Sequence, residues 1–167
     1  MDIKQDSGLP MPHRPGVILF HLLGRCNLFC NYCYMNAEKS RVDILPLKLV
    51  ERTIKEANHL GIEGIWLSGG EPFLYPGLKK IIRIAEKEDK LKINLSTNGT
   101  LIRKKEAEFL KGRNLTVGVS LDGPSSYHDK VCGIDGAFER AIKGIEHLLS
   151  AGVQTSVVSV ICKDNLD

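Results

Sequence analysis

An α/β fold on a parallel sheet is what this sequence predicts, on three observations. Short apolar or β-branched runs alternate with stretches of helical period from residue 17 onward. Glycines stand where three of the four helical stretches stop. The unusual residues recur at the carboxyl ends of the strands, where parallel α/β folds collect their chemistry.

The elements follow in order. Residues 17–23 are an apolar run, read as the first strand. Residues 46–60 have helical spacing, with Leu49, Val50, Ile54, Ala57 and Leu60 on one face. Pro46 suits a first helical turn and Gly61 a C-terminal cap. Residues 64–67 read as a strand, 76–88 as a helix and 91–95 as a strand. Residues 102–111 read as a helix closed by Gly112, and 115–121 as a strand. A fourth helix over 136–151 takes Asp135 as N-cap and Gly152 as C-cap. Residues 153–161, rich in valine, form the fifth strand. Strands that alternate with helices imply right-handed βαβ units. Five strands are too few for an eight-stranded barrel. The pattern leaves open whether the sheet lies flat or curls. A βα fold calls for a helix after the fifth strand, so a chain shortened at its C-terminus is expected. An uncovered fifth strand invites pairing, which makes a homodimer an expectation too.

Composition narrows the function. The chain has 167 residues, 43% hydrophobic and 26% charged, as one globular domain over 17–167 requires. Residues 1–16 are polar and rich in Pro and Gly, and read as a flexible N-terminal segment. They lack the apolar run of a signal peptide. No apolar run approaches the ~20 residues of a membrane span. The expectation is a soluble, cytoplasmic protein with no membrane partner. Net charge is +3, and the basic residues are scattered, so nucleic acid is not an expected partner. Three of the five cysteines fall within eight residues, which in a cytosolic chain points to metal rather than disulfides.

Four motifs follow four successive strands: Cys26-Asn27-Leu28-Phe29-Cys30-Asn31-Tyr32-Cys33, then Ser68-Gly69-Gly70-Glu71-Pro72, Ser96-Thr97-Asn98-Gly99, and Ser120-Leu121-Asp122-Gly123. One rim therefore carries one pocket walled by four loops. Three thiolates on one loop can wrap an inorganic centre, and thiolates are the natural ligands of iron–sulfur clusters. Three ligands leave a fourth iron open. Phe29 and Tyr32 can shield the centre from water. The other reading is a structural zinc site, with Cys132, Cys162 or His21 as fourth ligand. Paired glycines at 69 and 70 let the backbone approach a ligand, and Glu71 can either receive an ammonium group or cap the next turn. Ser96 and Asn98 suit ribose hydroxyls, or mark an Asn-Gly turn. Asp122 faces substrate or forms an Asx turn. Val158, Val160 and Ile161 pack against adenine or, for most of them, in the core.

The spacing Cys-x-x-x-Cys-x-aromatic-Cys after a first strand resembles the radical S-adenosylmethionine (radical SAM) superfamily. The later motifs agree in order with its branch of molybdenum-cofactor-cyclase-like and SPASM-type peptide- and cofactor-maturing enzymes. The resemblance implies a partial parallel (β/α) barrel of about five βα units here. It implies a 4Fe-4S cluster on Cys26, Cys30 and Cys33, with S-adenosyl-L-methionine chelating the fourth iron. Reductive cleavage then gives a 5′-deoxyadenosyl radical for hydrogen abstraction from a peptide or small-molecule substrate. It places Gly69, Gly70, Glu71 and Pro72 at the methionine amino group, and Tyr32, Ser96, Asn98 and Ser120 at the cofactor. An electron donor such as ferredoxin or flavodoxin is implied. The chain departs from the branch at Cys132, where an Arg that helps bind the methionine carboxylate is usual; Lys130 is the nearest replacement cation. A truncated binding module without turnover, and a zinc-stabilised α/β domain, are the alternatives.

Overall fold

The computed structural model describes residues 16–88 and 91–166, so all but the last residue of the N-terminal segment 1–16 lies outside the described residues. Five parallel strands make one sheet in the order β1-β2-β3-β4-β5. They are β1 Val17–His21, β2 Gly64–Ser68, β3 Lys92–Thr97, β4 Leu115–Ser120 and β5 Thr155–Val158. Spatial order follows chain order, so every crossover steps one strand in the same direction. A doubly wound sheet would reverse direction partway. Single winding is the wall of a barrel, and the fold is a partial β/α barrel.

The helices are α1 Leu47–His59, α2 Leu78–Ala85, α3 Lys104–Leu110, α4 Ser125–Cys132 and α5 Ala137–Ser150. Burial alternates along β3 and β4: Ile93, Leu95, Thr97, Leu115, Val117 and Val119 are buried, and the residues between them are not. A period of two means one packed face and one open face. The packed face meets Val50 and Ile54 of α1, Ile81 and Ile82 of α2, Leu110 of α3, and Ala141 and Leu148 of α5. Gly144 lets α5 close on the loop after β3, because a Cβ there would stand 2.2 Å from the carbonyl oxygen of Gly99. Among the described residues no helix is long and apolar enough to cross a membrane.

Four details differ from the sequence pattern. Helix α4 was not anticipated, because its buried residues are His128, Val131 and Cys132, and only Val131 gives a plain apolar signal. The buried face of α1 is Val50, Ile54 and Ala57; Leu49 sits one position off that stripe and is exposed, and Leu60 is the exposed C-cap. Gly136, not Asp135, is the N-cap of α5, and the capping carboxylate comes from α4. Asp129 Oδ2 accepts the Gly136 N–H at 2.6 Å and Oδ1 the Phe138 N–H at 2.8 Å. Finally, β5 is shorter than expected, and Val158, Val160 and Ile161 are exposed rather than in the core, since among the described residues β5 borders the sheet and pairs only with β4.

Candidate metal and cofactor site

The segment after β1 doubles back before it reaches α1. Leu45 N–H donates to Leu22 C=O (2.9 Å), Gly24 N–H to Asp43 C=O (3.0 Å) and Cys26 N–H to Glu38 C=O (3.2 Å). Its far side is tied to the last turn of α4, with Phe29 N–H on Cys132 C=O and Asn31 N–H on Val131 C=O, both at 3.0 Å. Two tight turns, Cys33 N–H to Cys30 C=O and Asn36 N–H to Cys33 C=O, curl the loop between these anchors. The result is that Cys26, Cys30 and Cys33 line one cavity at the carboxyl rim of the sheet.

Two of the three sulfurs have a hydrogen-bond donor aimed at them. Cys26 Sγ accepts from Leu28 N–H at 3.5 Å and from Asn98 Nδ2 at 3.8 Å. Cys33 Sγ accepts from Ala37 N–H at 3.4 Å. The neighbouring Cys132 thiol draws the Cys30 pKa down, against the effect of burial. Burial pushes the Cys26 thiol up to about 11, against the pull of the Leu28 amide. A cation in the cavity would offset that burial and release the proton. Donors directed at sulfur stabilise thiolate, the form that binds metal.

The Gly-Gly-Glu-Pro motif is built into the walls. A Cβ on Gly70 would lie 2.0 Å from the Arg25 carbonyl oxygen, so the close approach these glycines permit is to the cysteine loop itself. Gly70 N–H donates to Leu23 C=O (2.7 Å) and Glu71 N–H to Arg25 C=O (2.9 Å). Gly69 and Gly70 line the cavity, whereas Glu71 and Pro72 are buried behind them. The Glu71 carboxylate accepts from Phe73 N–H (3.0 Å), Thr97 Oγ1 (2.8 Å) and Asn98 N–H (2.9 Å). It caps the short 3-10 turn Pro72–Leu74 and fastens it to the end of β3. Burial raises its pKa, and these three donors oppose the rise.

Ser96, Asn98, Ser120 and Tyr32 also line the cavity. Ser96 Oγ accepts from the Trp66 indole N–H. The Asn98 side chain bridges two loops: its Nδ2 donates to Asn27 Oδ1 (3.0 Å), and its Oδ1 accepts from Thr100 N–H (3.0 Å). Asp122 is buried and forms no Asx turn; Oδ2 accepts from the Tyr32 hydroxyl and Oδ1 from Val160 N–H at 2.9 Å. The sequence left the roles of Asp122 and Cys132 open between alternatives and assigned none to Asn27 or His128; the position of Asn27 inside the cysteine motif was a signal.

The fourth-ligand candidates for zinc separate. Cys132 lines the cavity. Cys162 is exposed and paired with the Tyr127 hydroxyl at 3.1 Å, and the His21 ring meets Tyr34 edge-on at 5.7 Å; neither lines the cavity. Among the described residues no three His, Cys, Asp or Glu side chains converge on a single-ion site. Three cysteine sulfurs around one cavity, two of them with donors of their own, fit a polynuclear iron–sulfur centre.

Fold and site together define an α/β partial-barrel domain with a cysteine-lined cavity at its carboxyl rim. The sequence pattern of the Radical SAM superfamily matches residues 21–167. The chain is 34% identical to the Fe-coproporphyrin III synthase of Methanosarcina barkeri, over 90% of this chain and 38% of that protein. It is 31% identical to AlbA of Bacillus subtilis, an antilisterial bacteriocin subtilosin biosynthesis protein, over 88% of this chain and 33% of that one. Among solved structures, native anSMEcpe with bound AdoMet and Cp18Cys peptide superposes with a TM-score of 0.75 at 27% identity, over 89% of this chain and 44% of that one. This chain belongs to the radical SAM superfamily. It spans about a third to two fifths of the length of these two curated relatives.

Proposed function

We propose that this chain is the catalytic core of a radical SAM enzyme. The observation that carries the reading is that Cys26, Cys30 and Cys33 line one cavity, with donors aimed at the sulfurs of Cys26 and Cys33. These three residues would hold a 4Fe-4S cluster. Bound there, the cluster would supply the electron that cleaves S-adenosylmethionine to methionine and a 5′-deoxyadenosyl radical for hydrogen abstraction. The rim carbonyls of Gly69 and Gly70 would receive the methionine ammonium. Glu71 and Pro72 would set that segment from behind. Ser96, Asn98 and Ser120 offer hydroxyl and amide groups to the nucleoside, and Tyr32 covers the cavity mouth.

The open sheet face, with Leu19, Trp66, Asn94 and Thr116 in one row across four strands, is where substrate would lie. Relatives named for peptide and porphyrin products favour a peptide or a small-molecule substrate. A ferredoxin or flavodoxin would supply the electron. A second reading, a binding module without turnover, draws on one observation: no Lys or Arg lines the cavity among the described residues, and Lys130 on α4 is exposed.

The test is release of 5′-deoxyadenosine after anaerobic reconstitution with iron and sulfide, on addition of S-adenosylmethionine and a strong reductant. Release that disappears in Cys26→Ala, Cys30→Ala and Cys33→Ala supports the enzyme. A full cluster without release supports the binding module.

A further inference from the structure

Two surface hollows adjoin at Pro76, just before α2, and that proline borders both. One lies between α2 and α3, with Phe73, Leu101 and Phe109 in its walls. These helices cover the packed face of the sheet, so this hollow is on the far side from the open face. The other lies against the strand-like return of the cysteine loop, with Val42, Ile44 and Leu74 in its walls. Val42 is 80% exposed and Ile44 50%. Exposed apolar side chains gathered beside a concave apolar surface mark an interaction site.

Cations stand at both ends. Lys79 Nζ lies 5.0 Å from the centroid of the Phe109 ring, and the Arg83 and Arg113 guanidinium groups lie 5.4 and 4.3 Å from it. Arg113 is paired with Glu86. Among the described residues Lys79 and Arg83 make no ion pair. They are four residues apart on α2, a spacing at which like charges repel. The aromatic face between them offsets part of that repulsion but supplies no countercharge. At the other end Arg25 borders the second hollow, and it too makes no ion pair among the described residues. The carboxylates in the two hollows are already engaged. Asp43 holds Arg41 through two bonds of 2.7 Å, and Glu106 accepts the Arg103 N–H at 3.1 Å with Lys105 beside it.

We propose that this surface docks an acidic segment of a partner protein, with apolar side chains in the two hollows and carboxylates on Arg25 at one end and on Lys79 and Arg83 at the other. Charge complementarity selects the occupant. A second copy of this chain carries a net charge of +3 and fits worse. Adjoining hollows with cations at both ends suit an extended segment, whereas a small anion would meet one end alone. The inference is independent of the cluster assignment.

The experiment is selection of short random peptides on the full chain, followed by fluorescence anisotropy of the enriched peptides in low and high salt. The expected result is enrichment of sequences in which Asp or Glu flanks Leu, Ile or Phe. Their binding weakens as salt rises, as contacts between exposed charges do. It falls about tenfold or more when Lys79→Glu and Arg83→Glu are combined, and it weakens in Val42→Ser. Lys143→Glu, on α5, leaves it unchanged and shows that overall charge is not the cause. All four side chains are exposed, so the variants keep the fold. No enrichment, enriched peptides that lack acidic residues, or equal binding by the double variant overturns the proposal. So does a double variant whose oligomeric state in light scattering differs from wild type, because the surface would then join copies of this chain.

Discussion

The carboxylate of Glu71 accepts the backbone N–H of Asn98 at 2.9 Å. The amide of Asn98 in turn reaches Asn27 and Cys26 on the cysteine loop. One buried carboxylate therefore joins the loop after β2 to the loop after β3, and through Asn98 to the sulfur of Cys26.

Glu71→Ala leaves Phe73 N–H, Thr97 Oγ1 and Asn98 N–H without an acceptor. Each unsatisfied buried donor costs about 1–3 kcal/mol, so a total loss of at least ~2 kcal/mol is expected after partial relaxation. Urea unfolding of the metal-free protein measures it. An unchanged midpoint would mean that the carboxylate serves only a ligand.

Gly70→Ala drives a methyl group into the Arg25 carbonyl, one residue before Cys26. The backbone has to move, at a cost of about 1–3 kcal/mol for overpacking of this kind. The expected outcome is a lower iron-to-protein ratio after reconstitution. Gly112→Ala, which has a left-handed φ of 69° but nothing within 4 Å of a Cβ, is the control: it brings backbone strain without overlap, whereas Gly70→Ala brings overlap without a positive φ. Iron retention as good as in that control would contradict the contact.

Asp129 has its pKa held below the usual aspartate range, first by the Phe138 N–H and also by the Gly136 N–H. A depressed folded value means that the unfolded chain binds the proton more readily. The stabilisation is complete above the ordinary aspartate pKa and fades as pH falls through the lower, folded one. Asp129→Ala should therefore be less stable than wild type at neutral pH, with the gap closing in acid below about pH 4. Paired denaturation curves across that range check it, and a gap independent of pH would contradict the cap.

Tyr32→Phe removes the hydroxyl that Asp122 Oδ2 accepts. Asp122 keeps the Val160 N–H, so one lost bond to a buried charge is expected to cost about 1.5–3 kcal/mol. Iron content should stay at the wild-type level, since the phenyl ring still covers the cavity. A protein that loses its cluster but not its stability would assign the hydroxyl to the cofactor instead.

Much of this was legible in the sequence because periodicity and position carried it. The alternation of strands and helices carries the fold class, and the four motifs mark the rim. What stayed hidden was the use of each side chain. Gly70 reads as room for a ligand, yet its space is filled by Arg25 of the same chain. Glu71 reads as a ligand for an ammonium group or as a cap for the next turn; it caps that turn, and its ties to Thr97 and Asn98 left no mark in the sequence. Helix α4 escaped because His128 and Cys132, which are buried, do not register as an apolar stripe. Contacts between residues distant in sequence, such as Asp129 with Phe138 or Tyr32 with Asp122, leave no mark on local pattern.

The most direct measurement is electron paramagnetic resonance of the reduced, anaerobically reconstituted protein, before and after addition of S-adenosylmethionine. The account predicts a 4Fe-4S signal that changes shape on addition and is absent in Cys26→Ala, Cys30→Ala and Cys33→Ala. A protein that instead carries about one zinc per chain and gives no iron–sulfur signal, or a signal indifferent to S-adenosylmethionine, would contradict it.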